Sequence, residues 1–141
     1  MPKLRRFEEI AERLGERIFG RPPERLLHYG VYACRRVRGR PSRLSEHAFG
    51  NGIDIEGFRF GPAPRALRAA LPRRYWLRFF VTVEDHWAPA DRGDRPRARF
   101  LHELVRHLDE AEVFRGMLGP RHPRHDDHIH FDFGPWTYRT L

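Results

Sequence analysis

The chain has 141 residues, 27 Lys and Arg against 19 Asp and Glu, a net charge of +8 and a pI near 10.8; that length holds one domain with a modest single core. With 40% hydrophobic and 33% charged residues and a mean hydropathy of −0.72 it is neither a disordered tail nor a membrane-spanning chain, since no apolar run approaches the roughly 18–20 residues a span needs. The single cysteine, Cys34, excludes an internal disulfide and a Cys-rich zinc module, which leaves His and carboxylates as the available metal ligands.

Leu4, Phe7, Ile10, Leu14 and Ile18 recur at three- and four-residue steps, predicting an amphipathic helix that ends at Gly20 and the Pro22-Pro23 pair. Its polar face mixes Glu with Arg, which favours packing on the core over lying on a membrane. Lys3, Arg5 and Arg6 open the chain, but no uninterrupted apolar stretch or small-residue cleavage site follows, so it does not read as a signal peptide. The expectation is a cytoplasmic chain as given, or a periplasmic or exported one if it is cropped or delivered by another system.

Tyr29, Val31, Tyr32 and Val37 predict a strand within residues 27–37, closed by a turn over Gly39, Arg40, Pro41 and Ser42. Ile53, Ile55 and Phe58 predict another, with Asp54 and Glu56 on the face opposite the two isoleucines. A Pro-rich loop at 61–64 precedes a short helix around Arg65 to Leu71. A strand is expected from Trp76 through Trp87, centred on residues 79–83. A polar loop over Pro89 to Pro96 leads to a helix marked by Phe100, Leu101, Leu104, Val105 and Leu108. Residues 125–132 read as a strand because polar residues alternate with Ile129, Phe131 and Phe133, so His128 and His130 share a face. No internal repeat or low-complexity segment is visible.

Two stretches carry chemistry. Ser45-Glu46-His47-Ala48-Phe49-Gly50-Asn51-Gly52-Ile53-Asp54 sets an imidazole and a carboxylate seven residues apart, with two glycines between them that let the backbone turn sharply or approach closely. His125-Asp126-Asp127-His128-Ile129-His130-Phe131-Asp132 supplies further imidazoles. A zinc ion that works on a substrate needs three protein ligands and an open fourth position, and two His with one Asp meet that count. Any one of the nine His is, taken singly, a surface or supporting residue; the Ser-x-His, the later Asp and the His-x-His occurring together point to a metal. The arginines, spread along the chain, favour an anionic partner without naming it. Nucleic-acid binding rests on charge alone, with no recognised motif, and is not expected.

Cys34-Arg35, Leu44-Ser45-Glu46-His47, Gly50-Asn51, Ile53-Asp54-Ile55 and Phe58, with Leu118-Gly119-Pro120 and His125-x-Asp127-His128-x-His130-x-Asp132, resemble the bacterial extensin-like C-terminal domain. The likeness spans about residues 26–134 and leaves the N-terminal helix, 1–25, outside. That family is similar in turn to the zinc peptidases that include the murein endopeptidases, the D-alanyl-D-alanine carboxypeptidases and the hedgehog signalling domain. The resemblance implies an α+β domain over 26–141, with a small antiparallel sheet carrying the metal ligands and helices flanking it. It implies one zinc held by His47, Asp54 and His130, with His128 and His125 beside it to handle protons or stabilise an oxyanion. Arg35 and Ser45 are then candidates for binding substrate, Arg35 by forking onto a carboxylate, and Asp127 and Asp132 for orienting an imidazole. Ala111 stands where the family has the partner of its early cysteine, and Phe49 and Gly52 replace small residues flanking Gly50. No Glu occupies the late motif, where the carboxypeptidase branch carries its base, so the likeness leans to the His-using endopeptidases. The implied function is a zinc-dependent peptidase acting on peptidoglycan cross-links or stem peptides. The alternative is a non-catalytic zinc-containing module that binds cell-wall polymer or a protein partner.

Overall fold

The computed structural model describes residues 2–37 and 39–141. Helix α1, Pro2–Phe19, buries the middle of the apolar stripe read from its periodicity, with Phe7, Ile10 and Leu14 each no more than 4% exposed, while Leu4 is exposed, Ile18 is partly buried and Phe19, outside that stripe, is fully buried. Its C-terminus is fastened by Arg21, a buried guanidinium that donates to the carbonyls of Phe19, Gly61 and Tyr75 at 2.7–2.9 Å. A buried cation is costly unless its donors are met, and here backbone oxygens meet them.

The central strand is β4, Gly52–Phe60. One edge pairs antiparallel with β1, Arg25–Gly30; the other pairs with β7, Ile129–Asp132, through its first half and with β5, Phe79–Thr82, through its second. Strand β6, Gly116–Leu118, joins β7, and β8, Tyr138–Thr140, closes the sheet in the order β1-β4-β7-β6-β8. A purely antiparallel sheet was expected; the β6–β8 pair is parallel. Leu27 lies opposite Gly57 and His28 opposite Ile55, so Glu56 is an extra residue in β4. Such a bulge reverses the side-chain alternation. It explains how Ile55 and Phe58, three apart, both reach the core, and leaves Asp54 facing away from it. Against the core face pack α1 and α3, Arg95–Glu110, whose Phe100, Leu104 and Leu108 are buried. Phe60 stacks on Phe79 at 4.9 Å, and Phe19 meets both rings edge-on. Each fully buried side chain of this size contributes ~1.5–3 kcal/mol.

The differences from the sequence reading have local causes. The strand expected over 27–37 breaks at Gly30, whose φ is +142°; residues 31–35 are irregular, and Arg36–Val37 (β2) pairs with Arg40–Leu44 (β3) in a separate hairpin. Most of the expected turn is therefore strand, with Gly39 at φ +81° making the bend and Arg38 outside the described residues. The 76–87 strand is shortened because Thr82 caps a four-residue helix, α2, Val83–His86, its hydroxyl accepting from the Asp85 N–H. The stretch Arg65–Ala70 forms a 3-10 turn with no buried residue, and Pro96 opens α3 instead of ending a loop. The late strand begins at Ile129, so His125 to His128 lie in the loop before it.

Candidate metal centre

His47 sits off the sheet, on a 3-10 turn over Glu46–Phe49, so of the three residues expected as ligands on the sheet only Asp54 and His130 lie on strands. Ser45 caps the turn, its Oγ accepting from the His47 N–H at 3.4 Å, and Gly50, at φ +68°, closes it by donating to the Glu46 and His47 carbonyls. Two backbone bonds lace the turn to the irregular segment after β1: Ala33 N–H to the His47 carbonyl at 3.1 Å and Ser45 N–H to the Arg35 carbonyl at 3.0 Å.

These constraints aim the His47 ring at the junction of β4 and β7. There Nε2 of His47 lies 3.1 Å from Oδ1 of Asp54 and 3.0 Å from Nδ1 of His130, and the last two are 2.8 Å apart. His47 and His130 are buried, Asp54 nearly so. Gly52 makes room: a Cβ there would stand 3.1 Å from the His130 ring and 3.3 Å from His47 Nε2. Two imidazole nitrogens and a carboxylate oxygen are a donor set that suits a divalent transition metal. A tetrahedral ion ~2.0–2.1 Å from each ligand sets them about 3.3 Å apart, within a few tenths of an ångström of what is present.

Behind His130, Asp132 is wholly buried, and its Oδ2 accepts from His130 Nε2 at 3.0 Å. With the proton held on Nε2, a neutral His130 turns the Nδ1 lone pair toward the centre. The same carboxylate accepts from the Gly134 N–H at 2.8 Å and from the Tyr138 hydroxyl. Burial by itself would lower the His130 pKa, but hydrogen bonds to Asp132 and Asp54 push it up to about 9. Burial would raise Asp54 and Asp132, yet bonds from His130 and His47 to the first, and from His130, Tyr138 and Gly134 to the second, hold both below the usual carboxylate range.

Around this core stand the other candidates. His128 Nε2 is 3.9 Å from Asp54 Oδ1, and its Nδ1 is 2.7 Å from Asp127 Oδ1, a bond that lowers the Asp127 pKa. The His125 ring centre is 4.6 Å from that of His128 and 6.3 Å from that of His130; burial lowers its pKa. Arg35, half exposed, brings Nη2 to 4.0 Å from Asp54 Oδ2. It stands in the irregular segment, not on a strand. Ser45, expected to contact substrate, is buried with its hydroxyl spent on the His47 turn, which is a positioning task.

Three neighbours escaped the sequence reading. Tyr29, read only as a strand residue, meets the His128 ring edge-on at 5.8 Å. Tyr138 sits on a three-residue strand with no periodic signal, and burial together with Asp132 raises its pKa well above the ordinary phenol value. His122 was visible only as a His three residues before His125; its Nδ1 lies 3.1 Å from that of His125.

Residues 3–67 match the family model described as the extensin-like protein C-terminus. The matched stretch takes in α1, which the motif likeness had left outside. It holds His47 and Asp54 and ends before β7, so His130 lies beyond it. Neither curated proteins nor solved structures gave a match to the chain. Among the described residues, no helix is long and apolar enough to cross a membrane.

Proposed function

We propose that this chain is a zinc-dependent hydrolase of amide bonds in peptidoglycan peptides, with His47, Asp54 and His130 as the zinc ligands and His128 as the acid–base group. The observation that carries the reading is the convergence of Nε2, Oδ1 and Nδ1 within 3.1 Å of one another, with an Asp-held imidazole directed at them from 3.9 Å. When bound, zinc supplies Lewis acidity, polarising a carbonyl oxygen and lowering the pKa of a coordinated water toward ~7.

The chain's own residues do the rest. His128 donates Nδ1–H to Asp127, which leaves Nε2 free to take a proton from the attacking water and return it to the departing amine. The Asp127 carboxylate stabilises the imidazolium formed in between and keeps the ring in one tautomer. His125, neutral at pH 7 because burial lowers its pKa, offers an N–H to charge developing on the substrate oxygen. Arg35 flanks the centre on the Asp54 side, where its planar fork suits a substrate carboxylate. A net charge of +8 draws the protein toward an anionic polymer. The choice of a cell-wall peptide rests on the likeness of the His-x-x-His-x-His and Ser-x-His motifs to the murein endopeptidases.

His128→Ala tests the assignment: it should keep a full zinc complement and lose ~10²- to 10⁴-fold in turnover on stem-peptide substrates. Undiminished turnover in that variant would remove His128 from the mechanism.

A further inference from the structure

The loop ahead of β7 holds a second set of convergent donors, which includes His125 from beside the centre just described but none of its three candidate ligands. Nδ1 of His122 and Nδ1 of His125 are 3.1 Å apart, and the Pro123 carbonyl oxygen lies 3.2 Å from the first and 3.1 Å from the second. These three atoms form a near-equilateral triangle with the edge length of one face of a tetrahedral metal site.

Hydrogen bonding leaves one of the three contacts unused in either protonation state. With both Nδ1 atoms protonated, the Pro123 oxygen accepts two bonds and the two nitrogens stand unbonded at 3.1 Å; with one protonated, its N–H can serve both neighbours and the third contact sets two acceptors side by side. A cation at the triangle's apex meets all three donors at once. The backbone is built to bring them together: His125 N–H closes a turn onto the His122 carbonyl at 3.2 Å, with Pro123 at the second position and Arg124 at the third. Arg124 has φ +67°, where glycine is the usual occupant, so the turn holds strain that a bridging ligand would offset.

The geometry points to a second metal site, in which His122 Nδ1, His125 Nδ1 and the Pro123 carbonyl bind a divalent transition-metal ion at the rim of the candidate centre. Two imidazoles and one neutral oxygen, with no thiolate, suit zinc or copper(II) and leave positions open for water. The site does not depend on the hydrolase reading: it needs neither Asp54 nor His47.

Zinc titration of the untagged full-length protein by equilibrium dialysis and elemental analysis tests it, with circular dichroism confirming that each variant is folded. Wild type should saturate at two zinc per chain, Asp54→Ala should keep the rim zinc, and His122→Ala and His125→Ala should each lose one equivalent and keep one. Saturation at a single zinc that Asp54→Ala abolishes would overturn the rim site and leave the central one standing. Two zinc retained in both His variants would also overturn it. A single zinc kept by Asp54→Ala and lost in His122→Ala would support the rim site and refute the central ligand set. Should the His variants fail to fold, long-range ¹H–¹⁵N spectra of wild type decide: zinc must shift Nδ1 of both His122 and His125, and unmoved resonances reject the site.

Discussion

Asp54 and His130 are directly opposed partners in the β4–β7 ladder, and that register sets Oδ1 of one 2.8 Å from Nδ1 of the other. Two of the proposed ligands are thus fixed by backbone pairing, and the third arrives on a capped turn seven residues upstream of Asp54. The close approach at Gly52 is what lets the turn reach the strands. Gly52→Ala adds a Cβ 3.1 Å from the His130 ring, so both imidazoles must shift by a few tenths of an ångström. The expected outcome is a folded protein whose zinc affinity falls about tenfold or more, the order found when a metal's supporting shell is disturbed. Competition with a chromophoric chelator measures it.

Asp132 holds the His130 tautomer through Nε2. Asp132→Asn keeps the volume and removes the charge, and zinc affinity should fall ~10- to 100-fold. Asp132→Ala should also destabilise the fold, because the Gly134 N–H and Tyr138 hydroxyl lose a buried acceptor; the cost is ~1–3 kcal/mol for each group left unpaired. Chemical denaturation of the metal-free variants separates the two effects.

The pH dependence follows from His130. In the metal-free protein its pKa is raised to about 9, above the ordinary ~6.5, so it adds stability that is complete below ~6.5 and lost as pH climbs through 9. Asp54 and Asp132, both depressed, add stability that is present above ~4 and lost as pH falls below it. Melting temperatures of the chelated protein should therefore peak between ~4 and ~6.5 and decline toward pH 9. Zinc must displace the His130 proton, so apparent affinity should rise up to ~10-fold per pH unit until about pH 9.

Arg35→Lys keeps the charge but loses the planar fork. On an anionic stem peptide it should raise KM several-fold with zinc content unchanged. Unchanged kinetics would make Arg35 a solvated arginine beside Asp54.

Helical elements were legible because α1 and α3 are long enough for their apolar period to stand out, and Phe7 to Leu14 and Phe100 to Leu108 are buried as that period requires. The sheet was legible in part. Strand β4 was found from Ile53, Ile55 and Phe58, but their spacing conceals the Glu56 bulge, which only pairing with β1 makes visible. Strands β6 and β8, three residues each, are too short to show any period. The three candidate ligands came from the likeness to the zinc peptidases, within a set that chemistry limits to His and carboxylates, and the structure brings those three side chains together. Tyr29 and Tyr138 were not legible, since their contacts with His128 and Asp132 arise from tertiary packing alone.

Hydrolysis is the property that separates the proposed enzyme from a binding module. Zinc-loaded wild-type protein, incubated with purified peptidoglycan and with free D-amino-acid stem peptides from pH 5 to 9, should release new amine termini detectable by chromatography and mass spectrometry, and chelation should abolish the release. Intact substrate throughout that range, with zinc demonstrably bound, would contradict the hydrolase reading and leave a zinc-containing binding module in its place.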